Sequence, residues 1–137
     1  MILQLREEWA IEPIFQMVIE RADLFDIQKD KLRDYLEDAI KNDSSIVLLD
    51  EKDNRIDGFV FASVEEFNGD DVCFIHVCIV AKEKKYTVHD FIGRLRAWSN
   101  ERGLKTMIMS TNKHEKGFER KYGFKYLSTL MTLSVDK

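Results

Sequence analysis

The residues of this chain best suited to moving protons are His76, Tyr122 and the neighbouring carboxylates Glu65 and Glu66. A histidine tuned near neutral pH takes a proton from an ammonium group, directly or through water. A tyrosine, with a reference pKa of about 10, can return one to a leaving thiolate. His76 stands in the apolar run Val72–Ala81. On a regular strand it shares a face with Cys78 and Val80, while Cys73 and Cys78, an odd step apart, face opposite ways. That spacing argues against a Cys73–Cys78 disulfide and fits a reduced, cytoplasmic setting. Each candidate has a plainer reading: His76 as a buried neutral imidazole bonded to backbone, Tyr122 as packing, Glu65 and Glu66 as surface charge.

Other chemistries find less support. Cys73, His76 and Cys78 lie too close along one strand to surround zinc, so no metal site is expected. His89 and His114 stand singly at helix starts. A Cys78–His76 nucleophilic pair lacks a third, orienting group.

The net charge of −4 conceals a division, with −11 over residues 1–80 and +7 over residues 81–137. An acidic side attracts a cationic partner and a basic side an anionic one, unless the halves neutralise each other across the fold. Lys82, Lys84 and Lys85 precede one predicted helix, and Lys113, Lys116 and Arg120, three and four apart, share a face of the next. Nucleic acid is a poor candidate partner, since no aromatic platform interleaves with these lysines and the chain is acidic overall. At 137 residues and 45% hydrophobic content, one domain spanning 1–137 is expected. No run of eighteen apolar residues suggests a membrane span, and the amino terminus does not read as a signal peptide.

The elements that must position these groups follow from periodicity. Ile2–Leu5 reads as a short strand. A helix from about Glu12 to Phe25 has Pro13 in its first turn and Ile14, Met17, Val18 and Ala22 along one stripe. A second runs from about Asp30, its expected cap, to Asn42. Strands are expected at Ser45–Leu49, Ile56–Glu65 and Val72–Ala81, the last central. Asp50–Arg55 reads as a charged turn and Asn68-Gly69-Asp70-Asp71 as a hairpin. Thr87–Arg102 reads as a helix, with Thr87 and Asp90 spaced as a capping box and Gly103 ending it. Strand Lys105–Thr111 leads to Asn112, a good N-cap, then a short helix with Phe118 and Tyr122 on one face and Gly123 at its end. Tyr126–Val135 is the final strand. Pattern alone gives an α/β (α+β) domain with a mixed sheet and helices on both faces.

The stretch Asn112-Lys-His-Glu-Lys-Gly-Phe-Glu-Arg-Lys-Tyr-Gly-Phe124, placed after a strand and before another, resembles the carboxy-terminal signature of the GNAT superfamily of acyl-CoA-dependent N-acetyltransferases. Its Phe-Glu-Arg-Lys-Tyr-Gly-Phe portion also resembles small phage-encoded relatives. The resemblance covers nearly the whole chain in element order. It implies a mostly antiparallel mixed sheet, acetyl-CoA as acyl donor, an amine acceptor, and direct attack of that amine on the thioester. It implies that the central strand parts from the next to admit the donor, and that the backbone near Ile79 and Val80 aligns the donor's amide-rich arm. The two amino-terminal helices would line the acceptor side, and their acidity suggests a cationic amine.

The phosphate-binding turn departs from the family pattern. Lys85 occupies the position of an Arg or Gln, Val88 that of the first Gly and Asp90 that of the second. The amides of Tyr86, Thr87, Val88 and His89, with the Thr87 hydroxyl, remain to hold coenzyme A phosphates, helped by the lysines and by Asn112. Valine crowds the backbone there, and Asp90 brings a like charge and competes for the amides as a cap. Glu119 stands where the family often has its tyrosine acid, leaving Tyr122 as the remaining donor. These departures also fit a catalytically inactive GNAT-fold binding module, or an enzyme using an acyl donor with fewer phosphate contacts.

Overall fold

The computed structural model describes residues 1–22, 24–25, 27–81, 85–110, 125–127 and 130–135. The elements run β1 (Ile2–Gln4), a 3-10 turn (Glu8–Ala10), α1 (Ile11–Ile19), α2 (Lys29–Lys41), β2 (Ser45–Lys52), β3 (Arg55–Phe67), β4 (Asp70–Val80), α3 (Lys85–Glu101), β5 (Thr106–Ser110), β6 (Lys125–Leu127) and β7 (Leu130–Ser134). All seven strands join one sheet in the order β1-β2-β3-β4-β5-β7-β6, with β4 in the middle. Only the β4–β5 pair is parallel. The α3 crossover makes that possible, since a parallel neighbour cannot be reached by a tight turn.

Both faces of the sheet are covered, as the α/β reading expects. On one face α3 lays Phe91, Ile92, Leu95 and Trp98 over Ile46, Leu48, Val60, Ala62, Cys73 and Ile75. On the other, α1 and α2 lay Ile14, Phe15, Val18, Leu32 and Leu36 over Val47, Leu49, Phe59 and Phe61. Burial on two faces explains why β2 and β3 read as nearly continuous apolar runs rather than alternating ones. Two of the hairpin turns lie within the described residues. Asp53 and Asn54, then Asn68 and Gly69, all take positive φ, as two-residue turns between twisted strands require.

Several boundaries differ from the periodicity. α1 stops at Ile19, because Arg21 leaves the helical path to meet Asp57 and Phe25 turns edge-on to Phe59. Ala22, expected on the apolar stripe, is exposed as a result. α2 is entered through Gln28, which makes no side-chain cap bond, and Asp30 sits in the first turn, where its charge suits the helix dipole. The Asp50–Arg55 segment is mostly strand, leaving only Asp53 and Asn54 as turn. The single closing strand is two, β6 and β7.

Two bulges carry polar residues into the sheet. Asp50 pairs with Gly58 and Glu51 with Ile56, so Asp57 is an extra residue of β3. Ala62 pairs with Ile75 and Phe61 with Val77, so His76 is an extra residue of β4. Each bulge sets two consecutive side chains on one face.

Candidate functional site

The bulge at His76 decides what β4 presents. Up to Ile75 the strand alternates as the sequence suggests. Beyond it, Val77 and Ile79 pack with the α1/α2 face, and Cys78 and Val80 with the α3 face. Cys73 and Cys78 therefore share a face, contrary to the odd-step expectation. His76, expected beside Cys78 and Val80, lies on the other side of the sheet, against Tyr35 and Phe61. The Cys78–His76 pair and any Cys73–His76–Cys78 metal site are disposed of by this geometry. Burial also pushes the Cys73 thiol up to about 11, and the Cys78 thiol upward too, so neither is a ready thiolate.

β4 and β5 are paired at only three positions, Cys73↔Met107, Phe74↔Ile108 and Ile75↔Met109. Among the described residues the ladder ends there, although β5 runs to Ser110 and β4 to Val80. On its other edge β4 stays paired to β3 as far as Val80. The parting expected between these strands would fall opposite residues from 111 onward and lies outside the described residues.

His76 stands where the ladder stops. Its ring packs at 4.8 Å from Phe74 and 5.1 Å from Phe61, and Tyr35 stacks on Phe61 at 4.4 Å. Its side chain is 29% exposed. Ser63 Oγ lies 2.7 Å from His76 Nε2 and donates to Glu65 Oε2 at 2.6 Å. Burial lowers the His76 pKa below its usual value, outweighing the nearby carboxylates of Glu65 and Asp38, which raise it. The imidazole is thus neutral at physiological pH and bonded to a side chain rather than to backbone. Sequence reading singled out His76 and Glu65 but missed Ser63. The available signal was the Ser63–Glu65 step of two at the end of an apolar strand, which puts both on one face.

The described part of α3 begins at Lys85, two residues before the expected cap. Thr87 is inside the first turn and fully buried, donating to Asp50 Oδ2 at 2.7 Å. Its hydroxyl is therefore committed to the core rather than to capping or to an anion. Tyr86 is 61% exposed and Val88 is partly buried against the α3-side core. Asp90 lies in the second turn and lines a surface hollow with Ile2, His89, Gly93 and Arg94, on the β1 side of the helix. Asn112, Glu119, Tyr122 and the lysines at 82, 84, 113, 116 and 121, with Arg120, lie outside the described residues.

No family model and no curated protein sequence matches the chain. Solved structures do. A protein from Desulfovibrio desulfuricans assigned to the GNAT family of acetyltransferases superposes with a TM-score of 0.72 at 10% identity, over 98% of this chain and 99% of that one. The aminoglycoside 6'-N-acetyltransferase from Enterococcus faecium gives 0.73 at 12% identity, over 98% and 97%. An aminoglycoside 6'-N-acetyltransferase complexed with coenzyme A gives 0.71 at 12% identity, over 98% and 97%. The strand order and these superpositions establish that the chain has the fold of the GNAT acetyltransferases.

Proposed function

We propose that the chain is an N-acetyltransferase that moves an acetyl group from acetyl-CoA to a cationic amine. The observation that carries this reading is a bulged His76, bonded to Ser63, on the central strand of a sheet that has the fold of the acetyltransferases. Acetyl-CoA, when bound, supplies an activated thioester. The β4 backbone near Ile79 and Val80 would align its amide-bearing arm. Lys85 and the first-turn amides of α3 through Tyr86, Thr87 and Val88, with His89 and Asn112, would hold the phosphates.

The acceptor arrives as an ammonium ion. His76 takes one proton from it, freeing the nitrogen lone pair for the carbonyl carbon. As the new C–N bond forms and the C–S bond breaks, the nitrogen loses its second proton, and Tyr122 is the group proposed to protonate the thiolate. The products are the acetamide, free thiol and one proton passed to solvent. Glu65 and Asp38 near His76 favour a positively charged acceptor.

The test is thiol release on mixing the protein with acetyl-CoA and a panel of amines: an aminoglycoside, a polyamine and a peptide with a free amino terminus. Saturable release with at least one, lost in His76→Asn, supports the reading. Coenzyme A binding without release from any amine would leave a binding module instead.

A further inference from the structure

His76 is not only placed but oriented. Ser63 Oγ sits between two partners, Glu65 Oε2 at 2.6 Å and His76 Nε2 at 2.7 Å. The hydroxyl has one proton, and a carboxylate only accepts. If the proton went to His76, the hydroxyl oxygen and the carboxylate oxygen would face each other at 2.6 Å with lone pairs opposed. The proton therefore goes to Glu65, and Ser63 accepts from Nε2–H. That assigns the tautomer, and among the described residues Nδ1 has no hydrogen-bond partner.

We propose that Ser63 and Glu65 act as a positioning relay, holding the neutral His76 ring with its proton on Nε2 and so making Nδ1 the atom that takes the substrate's proton. When Nδ1 is protonated, the imidazolium gains a compensating charge through Ser63 to Glu65, whose Oε2 lies 4.0 Å from Nε2. The relay is assembled by the bulge. His76 and Val77 together stand opposite Phe61, one step along β3 from Ala62 and two from Ser63, and Phe74 and Tyr35 close over the ring. Glu65 and Asp38 are the charged groups that face it, from β3 and α2. The tautomer assignment stands on these contacts alone, whereas its catalytic meaning rests on the reading of His76 as base.

The experiment is nitrogen NMR on protein labelled at its three histidines, with the His76 signals assigned by their loss in His76→Asn. In wild type Nε2 should carry the proton and Nδ1 should be bare. In Glu65→Ala the Ser63 proton is released to Nε2, so Nδ1–H should become the major form and the titration midpoint should fall by about half a unit. Ser63→Thr keeps the hydroxyl and should retain the wild-type tautomer. Wild-type protein with Nδ1–H dominant, or nitrogen shifts unmoved in Glu65→Ala, would overturn the relay. In thiol-release assays Ser63→Ala should lose about tenfold in kcat, part of the full general-base effect, with KM for acetyl-CoA little changed. The expected tautomer switch in a protein that acetylates no amine would uphold the relay and sink the enzymatic reading, so the two fail separately.

Discussion

The Thr87 hydroxyl and the Asp50 carboxylate meet at 2.7 Å with both residues buried, tying the first turn of α3 to the middle of β2. The Met1 amine is a second partner of Asp50, at 3.1 Å. Replacing Thr87 by Val keeps the shape and removes the donor. The expected cost is about 1–3 kcal/mol, the penalty for stripping a buried acceptor of a partner. Thr87→Ser should recover most of it, because the hydroxyl returns. Chemical denaturation of the three proteins gives the comparison, and equal midpoints for Thr87→Val and wild type would mean the contact carries no stability.

His76 sets an expected pH profile. Its pKa lies below the usual value of about 6.5 in the folded protein, so the rising limb of kcat/KM should have its midpoint below that pH. His76→Asn should lower kcat by about a hundredfold or more and abolish that limb. The same shift has a stability consequence. A histidine held neutral by burial stabilises the fold above its unfolded pKa, and that contribution is lost as pH falls through the folded value. Wild type should therefore lose stability relative to His76→Asn as pH drops below about 6.5, an effect moderated by the exposed part of the ring.

Asp57 gives a second linkage of the same direction in a lower window. Burial raises its pKa, but hydrogen bonds from Arg55 and Arg21 and their charges outweigh that and hold it below the ordinary aspartate value. Its contribution is complete above the unfolded pKa, near 4, and fades as pH falls through the lower folded value. Asp57→Asn should cost about 3 kcal/mol near neutrality, as for a partly enclosed charge pair broken on one side. The gap between the two proteins should close as the solution is acidified below about pH 4. A gap that stayed constant with pH would show that packing, not charge, holds the residue.

Coenzyme A binding should stabilise the protein against heat. At one hundred times the dissociation constant the expected gain is roughly 2.7 kcal/mol. If the phosphates are met by lysines rather than by a glycine-rich turn, affinity should fall steeply with salt. Lys85→Gln should weaken binding. Asp90→Gly removes a like charge and should strengthen it, though the placement of Asp90 on the β1 side of α3 makes a modest gain the expectation. Calorimetry on both variants at two salt concentrations reads these effects.

Tyr122→Phe separates acid chemistry from packing. If Tyr122 protonates the thiolate, turnover should fall about a hundredfold with little change in melting temperature. Unchanged turnover with lower stability would make it a packing residue.

The order and type of the described elements up to β5 were legible because periodicity reports burial, and burial on two faces is what the sheet has; the helix expected from Asn112 lies outside the described residues. The Asn68–Gly69 turn was legible because its residues tolerate positive φ. What escaped was the local irregularity. Nothing in the alternation of Val72–Ala81 announces that His76 is an extra residue, since both faces beyond it are apolar. The face assigned to Cys78 and Val80 was therefore wrong while that of His76 against Phe61 was hidden. Thr87 looked like a cap because threonine caps helices, but Asp50 across the sheet claimed its hydroxyl. Local propensity cannot register a partner 37 positions away. Asp57 and His76, two of the polar residues inside apolar strands, are both bulged, whereas Asp50 and Ser63 stay in register.

The apolar character of residues 77–80 on both faces has a consequence for how the chain zips together. A one-residue slip of this segment along β3 would exchange Val77 and Ile79 for Cys78 and Val80 with little change in buried area, so hydrophobicity does not select the register. Selection falls to contacts that tolerate no slip. One is the Ser63–His76 bond. The other is the close approach at Gly58, where a β-carbon would meet Val80 at 3.1 Å, Phe91 at 3.2 Å and Asp50 at 3.3 Å. The glycine and the histidine are thus the two teeth that key β4 into place.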